Sequence, residues 1–398
     1  MPPLAAMPSM DALDLDGRAV FMRLDLNTPL QAGRVTSRAR IAAALPSIRA
    51  ALARGARLTV ASHLGRPRGQ VRAEESLEPV AKCLSEMLQN EVRLADDCVG
   101  DGVLHLVRGL RPGQLLMLEN LRFHAEEEAN NPDFARLLAA PFEVYVNDAF
   151  GAAHRPHASV VGVPQHLPAR AAGPLMAAEV TALGRLLTAA ERPFVAVVGG
   201  AKVSDKIGVL EALLPRVDTL CVGGAMAYTF LAAQKFVVGN SRVEADKLAA
   251  ASELLARAKA RGVELLLPSD HVVAERFAAD APASLVSAPD IPAGRMGLDI
   301  GPDTRAAFAA RLHRAKTIFW NGPMGVFEWP PFAVGTRQVA AQVADSGAFS
   351  VVGGGDSVAA VEQAQVADRI GHISTGGGAS LEFLESGTLP GIAALTAA

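Results

Sequence analysis

Lysine is scarce in this chain: seven lysines stand against thirty-one arginines in 398 residues. Each surviving lysine therefore says more than a surface charge ordinarily does. Cysteine is scarcer still. Cys83, Cys98 and Cys221 are an odd, scattered three with no zinc spacing and no CxxC pair, which excludes a disulfide framework, fits a reducing compartment and suggests three small buried hydrophobes. No run approaches the roughly 18 apolar residues of a membrane span. Nor is there an excess of positive charge, since a formal net charge of −3 and a pI near 6.3 offer nothing to nucleic acid or an anionic membrane. The first residues, MPPLAAMPSM, have neither a basic segment nor a continuous apolar one, so a frayed extension is expected there and not a secretory signal. Two nucleotide fingerprints are also missing. There is no GxGxxG and no GxxxxGK[ST], which disfavours a dinucleotide dehydrogenase and a P-loop ATPase.

What is present is apolar and long. Half the positions are hydrophobic, enough for two domains of ordinary size. Just past the middle, Arg192 to Lys206 runs RPFVAVVGGAKVSDK. Phe194 to Val198 has the apolar, β-branched composition of a strand buried on both faces, while Val203, Ile207, Leu210 and Leu214 recur at helical spacing. Gly199-Gly200 between them predicts a tight turn with free backbone N–H groups, an anion site. Lys202 and Lys206 sit four apart at the expected helix start, where two cations repel each other and oppose the helix dipole. A bound polyanion would reverse both effects.

From Arg18 the chain alternates short apolar strands with helical stretches, the pattern of a doubly wound α/β sheet whose ligands lie beyond the carboxyl ends of the strands. Ala19 to Leu24 runs into Asp25 and Asn27, and Arg38 and Arg40 precede a helix through Ile41, Leu45, Ile48 and Leu52. Leu58 to Ala61 ends in SHLGRP with His63 and Arg66. Leu115 to Leu118 ends in ENLRFH with Arg122 and His124, and Val144 to Val146 in NDAFGAAHRPH with His154, Arg155 and His157. Guanidinium forks and imidazoles gathered at one sheet edge suit a small polyanion. His154 and His157 lack cysteine or carboxylate partners for a metal, and the acidic run Glu126 to Glu128 reads as a solvated loop.

Around Pro164 to Pro174 the strand pattern stops, and a helix from Leu175 to Leu187 is expected to join two lobes. Beyond it, glycine follows strand after strand: Gly223-Gly224, Asn321-Gly322, Gly353-Gly354-Gly355 and Gly376-Gly377-Gly378. Such turns let backbone N–H groups approach phosphate oxygens. With Val263 to Leu267 and Phe194 to Val198 these strands make a set of six. Asp356 sets a carboxylate beside GGG, suited to Mg²⁺ shared with substrate phosphates. A phosphate-binding lobe facing an arginine-rich one suggests phosphoryl transfer between a nucleotide and a small anionic acceptor.

RLDLNTP, SHLGRP, ENLRFH, NDAFGAAHRPHAS, VVGGAKVSDKI, GLDIGP, WNGPMGVFE, VVGGGDS and STGGGASLEFLE together resemble the phosphoglycerate kinase family over nearly the whole chain. The resemblance implies two Rossmann-like lobes with a helical hinge. They comprise a phosphoglycerate-binding domain over 1–173 with the tail 388–398 packed back on it, a hinge helix at 174–188 and a nucleotide-binding domain over 189–387. It implies reversible transfer between 1,3-bisphosphoglycerate and MgADP, giving 3-phosphoglycerate and MgATP, in a cytoplasmic monomer that binds neither nucleic acid nor membrane. It assigns Asp25, Leu26, Asn27, Arg40, His63, Leu64, Gly65, Arg66, Arg122 and Arg155 to the phosphoglycerate. To the nucleotide it assigns Gly200, Lys202, Lys206, Gly297, Asn321, Glu328, Gly354, Gly355, Asp356 and Ser357, with Asp356 on the metal. Arg40, Lys202, Lys206, Gly376 and Gly377 are the implied catalytic set. Thr28, Ala225, Asn240 and Ser357 depart from the family's usual valine, glycine, lysine and threonine. Two readings compete: a sugar-phosphate dehydrogenase, which needs the missing GxGxxG, and a non-catalytic two-lobed anion-binding protein, which has no need of Asp356 beside GGG.

Overall fold

The computed structural model describes residues 7–396, and the chain divides into two compact units. Unit 1 runs to Thr181 and takes back the chain from Thr388; unit 2 is Ala182–Gly387. The division falls inside the helix Pro174–Thr188.

Unit 1 contains β1 (Ala19–Arg23), the hairpin β2 (Leu30–Gln31) and β3 (Arg34–Val35), β4 (Arg57–Ala61), β5 (Val92–Leu94), β6 (Leu115–Met117), β7 (Val144–Asn147) and β8 (Ala169–Ala172). Six of these form one sheet in the order β5-β6-β4-β1-β7-β8, with every pairing parallel. Central strands of such a sheet are covered on both faces, which is why Ala19 to Arg23 is buried at every position, the charged Arg23 included. Val20, Met22, Leu58, Val60 and Val146 meet Ile41, Leu45 and Ile48 of the helix Ala39–Ala53 in one core. Two strands escaped the sequence reading. β5 is VRL and β8 is ARAA, edge segments too short and too polar to stand out; β8 occupies the stretch where the strand pattern was expected to end. The N-terminus corrects another expectation. Residues 1–6 lie outside the described residues, but Ala172 N donates to Pro8 O at 2.8 Å and Met10 is buried, so residues 8–10 are docked and not frayed.

Unit 2 contains β9 (Phe194–Val198), β10 (Thr219–Val222), β11 (Glu264–Leu266), β12 (His271–Ala274), β13 (Ser284–Val286), β14 (Met296–Ile300), β15 (Thr317–Asn321), β16 (Phe349–Gly353) and β17 (His372–Ile373). The six expected strands form a parallel sheet in the order β11-β10-β9-β15-β16-β17. β12, β13 and β14 add a small antiparallel sheet that the sequence reading missed. The strand order reverses between β9 and β15, and a reversal of this kind opens a crevice at the carboxyl ends of the two strands.

The helix Pro390–Thr396 belongs to unit 1: Gly391 N donates to Ala153 O at 2.8 Å, and Ile392, Ala394 and Leu395 are buried. Ala397 and Ala398, which the expected tail also covers, lie outside the described residues.

Candidate active site

In unit 1 the strands that carry the predicted polar ends are neighbours, β6-β4-β1-β7, so their carboxyl ends form one edge. Asp25 Oδ1 accepts from Asn27 N at 3.2 Å, and its Oδ2 accepts from Arg40 Nη1. Asn27 Oδ1 accepts from Gly65 N at 3.0 Å. Leu26 N donates to Ser62 Oγ and Leu64 N to Asn120 Oδ1, at 2.9 and 3.1 Å, so these two fix loops through their backbones while their side chains are buried. Gly65 has φ +62, and a Cβ there would lie 2.1 Å from Glu75 Oε1. That same carboxylate oxygen accepts from Arg66 N at 2.7 Å and leaves the Arg66 side chain exposed. Arg122 is only 2% exposed; its Nη1 donates to Gly65 O at 2.7 Å and its Nε lies 3.4 Å from Glu128. Burial, then the like charges of Arg155 and Arg23, lowers its pKa to about 10. Arg155 Nε contacts His154 Nε2 at 3.3 Å. His63 is held neutral: burial depresses it well below the usual histidine range, and Arg23, Arg122, Arg155 and Arg40 all add to that depression.

Of two residues behind this edge, the sequence reading gave no role to Arg23 and placed Glu127 in solvent. Arg23 is fully buried and touches His63 Nδ1 at 3.1 Å, and Glu127 is fully buried and accepts from Ser159 N and Oγ at 2.8 and 2.5 Å. The expected solvated acidic loop is thus corrected. Glu127 belongs to a short helix, Ala125–Glu128, and turns inward toward Ser159 and Arg23, while His157 Nδ1 lies 3.8 Å from it. A charged residue inside an apolar strand was the available signal for Arg23.

In unit 2 a cavity of about 460 Å³ lies at the β9/β15 crossover. Gly200, Gly297, Glu328 and Asp356 line it, as do Tyr228, Arg242 and Phe277, which the sequence reading had not singled out. The other predicted nucleotide residues do not line it. Lys206 Nζ donates to Asn321 Oδ1, and Asn321 Nδ2 donates to Gly353 O at 2.8 Å. Burial lowers the Lys206 pKa, against Asp205 and Asp356, which raise it. Gly354 (φ +91) and Gly377 (φ +54) stand just before the helices Gly355–Gln363 and Gly378–Ser386, and neither helix start receives a side-chain cap. Gly376 N is taken by Ser374 Oγ at 3.2 Å.

The loop from Gly200 to Lys206 departs from expectation. The helix begins only at Ile207, so Lys202 is an exposed loop residue and the supposed repulsion across one helical turn does not arise. Nor are all of the loop N–H groups free. Gly200 N donates to Pro323 O at 3.1 Å, and Val203 N and Ser204 N both donate to Glu244 Oε2. The anion that organises this loop is the protein's own carboxylate.

Among the described residues, one group of metal-type side chains converges: Asp97, Cys98 and His124. Asp97 Oδ1 already accepts from Cys98 N and His124 Nε2, each at 2.6 Å, and burial with three nearby carboxylates keeps the thiol protonated. It is a hydrogen-bonded corner. No helix among the described residues is long and apolar enough to cross a membrane.

The sequence profile of the phosphoglycerate kinase family matches residues 10–387. The chain belongs to the phosphoglycerate kinase family. It is 56% identical over 384 residues to the phosphoglycerate kinase of Moorella thermoacetica, covering 96% of this chain and 98% of that protein. It is 56% identical over 392 residues to that of Anaeromyxobacter sp. strain K, covering 98% and 99%. The solved structure of phosphoglycerate kinase from Coxiella burnetii superposes with a TM-score of 0.90 at 43% identity, covering 98% of this chain and 99% of that one. That from Pyrococcus horikoshii gives 0.86 at 34% identity, covering 98% of each. This chain, like its family, is a kinase acting on phosphoglycerate. Its departures from the family pattern have local accounts. Thr28 Oγ1 donates to Ser37 O, Ser357 Oγ accepts from Gly322 N at 2.6 Å, and Ala225 and Asn240 line the cavity.

Proposed function

We propose that unit 1 holds the phosphoglycerate and unit 2 the nucleotide in the reversible transfer of a phosphoryl group from 1,3-bisphosphoglycerate to ADP. One observation carries the placement: His63, Arg66, Arg122 and Arg155 follow adjoining parallel strands of unit 1 and Arg40 opens the helix Ala39–Ala53, and His63 feels Arg40, Arg122 and Arg155 electrostatically. Such a concentration of like charge is repulsive by itself and is relieved by an anion. Arg66 and Arg155 supply forks for its oxygens, neutral His63 supplies an N–H, and Asp25 and Asn27 accept from its hydroxyl. Arg40 reaches the transferring group.

Asp356 stands exposed in the first turn of Gly355–Gln363 and lines the cavity. A single free carboxylate suits Mg²⁺, whose remaining ligands are phosphate oxygens and water; when bound, the ion offsets phosphate charge. Glu328 accepts from the ribose, and Lys202, Lys206 and the N–H groups of Gly377 and Gly378 meet the charge that develops on transfer, with Gly376 holding the turn through its bond to Ser374. Both reacting oxygens are ionised at neutral pH, so the residues position and stabilise without a general base. The enzyme acts as a cytoplasmic monomer, with no nucleic acid or membrane partner.

A coupled assay with MgADP and 1,3-bisphosphoglycerate measures turnover, and calorimetry of 3-phosphoglycerate with Arg66→Ala and Arg155→Ala tests the placement. Unchanged affinity in both variants would sink it. The non-catalytic alternative has no observation in its favour.

A further inference from the structure

Arg23, the last residue of β1, divides its guanidinium among three acceptors. Nε donates to Ser159 Oγ at 2.8 Å, Nη1 donates to Leu24 O, and Nη2 meets His63 Nδ1 at 3.1 Å. A guanidinium has no lone pair to accept with and keeps its protons in a protein, so the direction of the third bond is fixed: Nδ1 accepts. A neutral imidazole has one N–H, which must then sit on Nε2. The opposite tautomer would set two N–H donors against each other in a fully buried contact. Nε2 itself has no partner among the described residues, and the ring keeps 6% of its surface exposed.

We propose that Arg23 is a positioning residue that locks His63 in the Nε2–H tautomer, so that the ring meets a carboxylate or phosphate oxygen with a donor and not with a lone pair. The inference rests on the reading of His63 as a phosphoglycerate ligand. The chain of bonds behind Arg23 supports it. Ser159 Oγ accepts from Arg23, which leaves its own proton for Glu127 Oε1 at 2.5 Å, and Ser159 N donates to Oε2 at 2.8 Å. The direction of each of these bonds in the run Glu127, Ser159, Arg23, His63 is thereby assigned, and the fully buried carboxylate balances the fully buried guanidinium. His63 also stays neutral without help from a ligand, because burial and four arginines oppose its protonation.

The test is two-bond ¹H–¹⁵N correlation spectroscopy on the full chain with ¹⁵N-labelled histidine, with His63 assigned by its loss in His63→Gln. The expected spectrum shows His63 with a protonated Nε2 and a bare Nδ1, constant from about pH 6 to about pH 8. Removing Arg23 alone would strand Glu127, so the variant is Arg23→Met with Glu127→Gln, which deletes both buried charges at similar volume. There the two tautomers should mix, and KM for 3-phosphoglycerate should rise about tenfold while KM for ATP stays put. A protonated Nδ1, or a mixture, in the unaltered protein overturns the proposal whether or not the double variant folds. So does a folded double variant that keeps both the spectrum and the KM. A native KM in His63→Gln would instead sink the placement of phosphoglycerate at His63, with the wild-type tautomer spectrum unaffected, so the two failures are separable.

Discussion

Lys206 and Asn321 are a hydrogen-bonded pair, the ammonium donating to an amide oxygen whose own nitrogen is anchored on Gly353. The lysine is thus held at the end of β15 by a neutral partner and keeps its whole charge for a ligand. Lys206→Ala should reduce turnover by ~100-fold or more, the usual loss for one well-placed donor in a charge-stabilising site. Stability should fall by only about 1 to 3 kcal/mol, for an Asn321 oxygen left without its donor. Thermal melting beside kinetics decides it: normal turnover with a large melting loss would make the lysine structural.

Arg40 pairs with Asp25. Arg40→Lys should preserve that pairing and 3-phosphoglycerate affinity yet lose ~100- to 1000-fold in kcat, since an ammonium lacks the planar fork that spans a flattening phosphoryl group. An effect confined to KM, or a tenfold loss or less, would reduce Arg40 to an ordinary substrate ligand.

Gly297 of β14 leaves room for a buried tyrosine. A Cβ there would lie 1.8 Å from Tyr228 Oη and 2.2 Å from its Cζ, and both residues line the cavity. Tyr228 can clear an added methyl only by shifting within the wall of that cavity, so Gly297→Ala should cost about 1 to 3 kcal/mol of overpacking and raise KM for ATP, with KM for 3-phosphoglycerate unchanged. Equal shifts in both constants would count against a cavity dedicated to the nucleotide.

Asp299 accepts from Ile300 N at 2.9 Å and Gly335 N at 2.7 Å, yet burial pushes its carboxyl up to about 7. Unfolded, it titrates near 4. Between these values the folded state holds the extra proton, so this contribution to stability is full below about pH 4, declines as pH rises to about 7 and is absent above. Asp299→Asn removes the decline, so the variant should gain on the wild type by a few kcal/mol across that interval. Trp320 and Trp329 both lie in unit 2, so tryptophan fluorescence during urea unfolding reports on the unit that contains Asp299. A difference independent of pH would refute the shift.

The central parallel strands were legible because Ala19 to Leu24 or Phe349 to Val352 must be apolar to survive burial on both faces. The arginine and histidine at their ends were legible for the same reason, as polar residues where apolar runs stop. Illegible were features that depend on a partner far along the chain. Glu127 looks solvated until Ser159 and Arg23 enclose it, and Val203 N looks free until Glu244, about 40 residues on, accepts from it. β5 and β8 owe their strand conformation to the neighbours they pair with, and no local composition announces that.

The helix Pro390–Thr396 sets an order on biosynthesis. Ala153 O and the pocket between Val160 and Ala153 receive Gly391, where even a methyl group would come within 2.7 Å of Val160. A ribosome that has made all of residues 7–181 must still translate roughly 200 more, at ~5 to 20 residues per second, before that partner emerges. For about 10 to 40 s, while unit 2 is being made, the earlier unit waits with an apolar seam uncovered; unit 2 needs nothing beyond Gly387. Residues from Thr388 onward close a core made roughly 200 residues earlier, so a chain truncated or stalled before them lacks that seal.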